Sequence, residues 1–164
     1  MNDNAKTPDK SNQVLGDLND FLDKKRELYI NSLKADRWYW EDINIFFDDQ
    51  VIPVFTNLVE YFKKLPYLNV EYKRFEKVCR LTIRAKLDFF IFRVLISNDK
   101  RSVIFSQDIL FRKEYRQKMR KIDNCEEVYV SFKESETITE EFVVALFTRW
   151  YKEKYETIAK AKQL

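Results

Sequence analysis

The hydrophobic period of this chain changes twice, and that change constrains the fold more than any other feature. Up to about Leu65 apolar residues recur every three or four positions. Leu15, Leu18, Leu22, Tyr29 and Leu33 make one helical stripe, and Phe47, Val51, Val54, Leu58 and Phe62 make another. The second stripe predicts a helix from an N-cap at Asp36 to Leu65, kinked or split at Pro53 and stopped by Pro66. From Cys79 the period becomes two. Cys79, Leu81, Ile83, Ala85 and Leu87 alternate with Arg80, Thr82, Arg84 and Lys86, the pattern of a half-buried strand. Phe89 to Ser97 is apolar on both faces apart from Arg93, which predicts a central strand covered on both sides. Asn98 to Arg101 reads as a turn, Ser102 to Ser106 as the returning strand, and Glu127 to Lys133 as a further strand with Val128, Val130 and Phe132 inward.

Near Thr137 the helical period returns. Thr137-Ile-Thr-Glu140 has the Ser/Thr-x-x-Glu spacing of a capping box, in which hydroxyl and carboxylate satisfy orphan N–H groups reciprocally. Behind it Phe142, Leu146 and Trp150 recur every fourth residue, as do Val143, Phe147 and Tyr151, giving a face wide enough to cover a sheet. Gln107 to Ile122 fits two readings: Phe111, Tyr115, Met119 and Ile122 form a helical stripe, while Ile109 to Tyr115 can continue a strand. Helices, then an antiparallel meander, then a helix define an α+β fold. The expected organisation is a flexible segment over 1–11 and one domain over 12–164, helical over 12–65, sheet-rich and basic over 67–133, and helical again over 137–162.

What is missing narrows the chemistry. The chain has no histidine and one glycine, Gly16. It therefore has no imidazole base, no Ser-His triad, no histidine metal ligand and no glycine-rich phosphate loop. Two cysteines, Cys79 and Cys125, are too few for a disulfide scaffold, and without histidine they make no zinc site. No base stands ready to activate Cys125. The polar start, Met1 to Lys10, lacks the apolar core of a signal peptide, and apolar runs such as Phe89–Phe92 fall far short of the ~20 residues of a membrane helix. A cytoplasmic protein without membrane, metal or cofactor is the expectation. One catalytic arrangement is present in the spacing: Glu71-Tyr-Lys73 has the Glu-x-Lys pattern of metal-dependent nucleases, with Asp48 or Asp49 as the further acid. That spacing arises readily by chance in so charged a chain, and a solvated strand edge is the preferred reading.

The net charge of +3 hides a strong segregation. Residues 1–66 carry nine Lys/Arg against twelve Asp/Glu, residues 67–122 fifteen against six, and residues 123–164 six against nine. The middle third is basic between two acidic flanks. Arg112, Lys113, Arg116, Lys118, Arg120 and Lys121 form a dense block, and Arg80, Arg84 and Lys86 are expected on one strand face. Such a block is a solvated face or a site for an anionic partner, an acidic protein surface or a nucleic acid. Interleaved aromatics (Tyr72, Phe75, Phe90, Phe92, Tyr115) would stack on bases if exposed. Aromatic residues make up 16% of the chain, and Trp38-Tyr39-Trp40 places three large rings in sequence, so they cannot all face one side of a helix. These three are candidate interface residues.

Glu71-Tyr-Lys-Arg74-Phe75, the strand Val78 to Lys86, Phe89-x-Ile91-x-Arg93-x-Leu95, a polar turn and Val103-x-Phe105 together resemble the core of the lysozyme-like baseplate wedge family of contractile phage tails and type VI secretion systems. The resemblance covers about residues 71–109. Ser106 stands where the family has Asp, and the family's entry proline is absent. The resemblance implies a non-catalytic structural subunit. Chemistry, charge and aromatic load lead to the same expectation: a non-enzymatic adaptor or structural subunit with an acidic protein partner. A nucleic-acid-binding module is the alternative, and a nuclease the third reading.

Overall fold

The structure, a computed structural model, describes residues 10–36 and 38–163. The chain divides after Asp36 into two compact units. The first holds α1 (Lys10–Asp36), a 27-residue helix that starts two residues before the expected position 12. The rest of the flexible segment expected over 1–11 lies outside the described residues. The α+β unit spans 37–164, against the one domain expected over 12–164.

In that unit the helical segment expected from Asp36, kinked or split at Pro53, is α2 (Trp40–Phe46), a π-turn (Phe47–Val51) and α3 (Ile52–Lys63). Asp36 ends α1 instead of capping a new helix. Tyr39 caps α2, its N–H donating to the Asp42 carboxylate at 3.2 Å, after the Trp38 N–H has bonded to the Lys100 carbonyl at 2.6 Å. Pro53 falls in the first turn of α3, where its missing N–H is no loss. The interruption therefore appears before it, as the wide turn in which the Ile52 N–H reaches back to the Phe47 carbonyl. The apolar stripe continues inward through Phe47, Val51, Val54, Phe55, Val59 and Phe62.

Six strands form one antiparallel sheet: β1 (Asn69–Arg74), β2 (Val78–Arg84), β3 (Asp88–Ile96), β4 (Ser102–Phe111), β5 (Arg120–Lys121) and β6 (Val128–Ser131). The order is β1-β2-β3-β4, with β5 and β6 sharing the far edge of β4. Alternation in β2 ends at Arg84 rather than Leu87, because Ala85 turns the chain with its N–H on the Asp88 carbonyl at 2.8 Å. The β3–β4 turn needs a left-handed residue, and in a chain with one glycine Lys100 supplies it (φ 59°).

β3 is fully covered on one face only. Phe90, Phe92, Val94 and Ile96 are buried, while Phe89, Ile91, Arg93 and Leu95 are half-exposed on the opposite face. The ambiguous stretch resolves as sheet: β4 runs on to Phe111, an irregular loop follows, and β5 ends it. The helical stripe through Tyr115 and Met119 does not form, since Phe111 pairs with Asp88 in the ladder instead. Phe132 leaves the sheet and begins a 3₁₀ turn.

α4 (Glu140–Lys162) starts later than its expected box. Thr139 is the N-cap, its hydroxyl accepting from the Phe142 N–H at 3.1 Å, whereas the Thr137 hydroxyl donates to the Glu134 carbonyl in the 3₁₀ turn. α3 and α4 cover the inner face of the sheet, where Phe92 is the hub. Its ring lies 5.9 Å from Phe55, 5.5 Å from Phe147 and 5.7 Å from Trp150. Leu81, Ile83 and Leu146 are buried in this same cluster, and Phe142 packs against it half-buried.

Candidate functional site

The basic residues converge because of strand register, not sequence proximity. The β2–β3 turn at Ala85–Leu87 and the loop after β4 meet at one end of the sheet, since Asp88 pairs with Phe111. Arg112 closes that junction. Its N–H bonds to the Leu87 carbonyl at 2.9 Å, and its guanidinium donates to the Lys86 carbonyl at 2.7 and 3.0 Å and to that of Gln117 at 3.4 Å. Arg112 is thus a clamp that shapes the loop.

Around it lie the other cations. Lys86 and Arg112 both sit over the Tyr115 ring, at 4.9 and 4.7 Å from its centroid. Arg120 stacks on Phe111 at 5.1 Å. Phe111, Arg112, Lys113, Gln117, Lys118 and Arg120 line a groove of about 360 Å³. Lys86, Lys113, Arg116 and Lys118 are exposed or nearly so, and among the described residues no carboxylate lies within ion-pair distance of them. Four cations left unpaired at one sheet end make a strong local positive field.

The expected face of Arg80, Arg84 and Lys86 is not one face. β2 ends at Arg84, so Lys86 belongs to the turn and joins the edge cluster, while Arg80 and Arg84 stay on the outer face of the sheet. Arg84 is neutralised there by Glu71 at 3.0 Å. Arg80 stacks on Phe75 at 5.3 Å and stands in a cross-strand row with Lys73 and Arg93. Lys73 and Arg93 join this row only through strand register, which no local pattern in the sequence displays. Lys121 also faces outward, where it and Arg93 meet Asp108, at 3.4 and 2.5 Å. Burial pushes the Asp108 carboxyl up, but the hydrogen bond and charge of Arg93, with the Lys121 charge, outweigh this and hold it below its ordinary value.

The aromatic candidates separate. Trp38 is buried against Phe46 and Phe132, at 5.0 and 4.8 Å, and its indole N–H has no hydrogen-bond partner among the described residues. Tyr39 and Trp40 are exposed, and Lys100 lies 4.8 Å over the Trp40 ring. The rings that would stack on bases are otherwise engaged: Phe90 and Phe92 are in the core, Tyr72 packs on Phe55, and Phe75 and Tyr115 carry cations.

The nuclease arrangement is not assembled. Glu71 and Lys73 project from β1 on the outer face, whereas Asp48 and Asp49 belong to the π-turn in the helical layer behind the sheet. Among the described residues no group of three His, Cys, Asp or Glu side chains is placed to hold a metal ion. No described helix is long and apolar enough to cross a membrane. No family profile matches the chain, and neither a curated protein nor a solved structure shows significant similarity to it.

Proposed function

We propose that the protein is a non-enzymatic adaptor or structural subunit that docks an acidic protein surface on the cationic sheet end. The observation that carries this reading is the set Lys86 on the β2–β3 turn and Lys113, Arg116 and Lys118 on the loop after β4, two segments that Arg112 clamps together, all left without intramolecular counter-charges among the described residues. Arg112 and Arg120 lie on the groove wall beside them. Two observations favour protein over nucleic acid as the partner. The Tyr115 ring already carries two cations, so base stacking on it would displace them. The segments before and after the basic third are net acidic and repel a long polyanion. The resemblance of residues 71–109 to baseplate wedge subunits extends the proposal: the partner belongs to a multiprotein assembly of that kind.

The test replaces Lys86, Lys113, Arg116 and Lys118 by Ala and leaves the Arg112 clamp intact. Nuclease-treated affinity capture with parent and variant, followed by mass spectrometry, is expected to recover an acidic partner with the parent alone. Titration of the parent with single-stranded and duplex oligonucleotides at physiological salt should give a Kd no tighter than about 100 μM. Submicromolar nucleic-acid binding, lost in the variant with a shallower salt dependence, would overturn the proposal in favour of a nucleic-acid-binding module.

A further inference from the structure

α1 carries an apolar face between Val14 and Leu28. Val14, Leu15, Leu18, Phe21, Leu22 and Leu28 are each between 47% and 64% exposed. At 100° per residue they fall within one broad stripe, about the width of a helix–helix contact face. The helix is 27 residues long, or about 40 Å.

Its charges are divided by halves. Residues 10–23 carry Asp17, Asp20 and Asp23 against Lys10, while residues 24–36 carry Lys24, Lys25, Arg26 and Lys34 against Glu27 and Asp36. Lys25 is the exception to the polar arrangement, because it projects from the apolar stripe itself and lies over the Phe21 ring at 5.5 Å. A cation in such a stripe needs an anion on whatever covers it.

We infer that α1 pairs antiparallel with α1 of a second copy of this chain. The alignment that sets Phe21 opposite its own copy places Val14 opposite Leu28 and Asp17 opposite Lys25. By symmetry each of the latter contacts forms twice. The stripe is then covered along its length, and each Lys25 ammonium meets an Asp17 carboxylate. A parallel pair would instead set Lys25 beside Lys25 and Asp17 beside Asp17, so the charge pattern selects orientation as well as partner. The inference rests on α1 by itself and stands whatever docks at the cationic sheet end.

Sedimentation equilibrium of the full chain at about 100 μM is expected to show a dimer, since a Kd of about 10 μM leaves most chains paired at that concentration. Asp17→Lys and Lys25→Asp should each weaken association about tenfold or more, and the double variant should return it to within about threefold of the parent. Orientation is read by mixing Val14→Cys and Leu28→Cys chains under mild oxidation and mapping the cross-links by mass spectrometry. Disulfides joining 14 to 28 are expected. A monomer at that concentration, a double variant no tighter than the singles, or cross-links joining 14 to 14 would each overturn the inference.

Discussion

Lys154 interrupts the apolar stripe of α4 between Trp150 and Ile158 and is 1% exposed. Its Nζ lies 2.9 Å from Asp88 Oδ1 at the start of β3, with the Tyr151 and Tyr155 rings at 4.2 and 4.3 Å. Asp88→Asn removes the counter-charge and leaves the ammonium buried. Breaking a buried pair in this way costs about 3–5 kcal/mol. The lower end applies, because the Asp88 side chain is 20% exposed and the two ring faces retain part of the attraction. Lys154→Met keeps the volume and removes the charge, while Asp88 remains in contact with water, so its cost should be within about 1 kcal/mol. With a urea slope of about 2 kcal/mol/M, Asp88→Asn should lower the unfolding midpoint by about 1.5 M and Lys154→Met by less than about 0.5 M. The double variant should recover most of the loss. Equal shifts from the two single variants, or no shift with Asp88→Asn, would refute the argument that the buried ammonium sets the cost.

Three further outcomes follow from the same geometry. Asp108 is held below its ordinary carboxyl value of 3.8, so it stabilises the fold above that value and loses the contribution as pH falls through its folded value. Asp108→Asn should cost about 1–2 kcal/mol at pH 7, and urea titrations should show the gap from the parent narrowing below pH 3.8. Thr139→Ala should cost about 1 kcal/mol in thermal unfolding as a lost N-cap, and Thr137→Ala clearly less, reversing the order expected from a capping box at 137–140. Burial pushes the Cys79 thiol up to about 12, against the weaker opposing pull of Arg74, so alkylation at pH 8 mapped by mass spectrometry should leave Cys79 unmodified until urea unfolds the protein.

The α+β class, the meander and the covering helix were legible in the sequence, because hydrophobic period reports directly on which face of a helix or strand meets the core. The stripes Phe47/Val51/Val54 and Leu146/Trp150, and the parity of Leu81 and Ile83, follow from that local rule. Element ends were less legible. The choice of Thr139 over Thr137 as cap turns on which hydroxyl is free of the preceding 3₁₀ turn, and the π-turn before Pro53 on how the chain keeps Phe47 and Val51 inward. The path of residues 107–122 required tertiary structure, since both of its patterns were locally sound and pairing of Phe111 with Asp88 decided between them. The basic character of 67–122 was visible as composition, but which cations are free was not. Arg84 is neutralised by Glu71 and Lys121 shares Asp108 with Arg93, while Lys86 joins Lys113 and Lys118, through register and turn placement. Cross-strand pairing joins residues distant in sequence, and no local pattern encodes it.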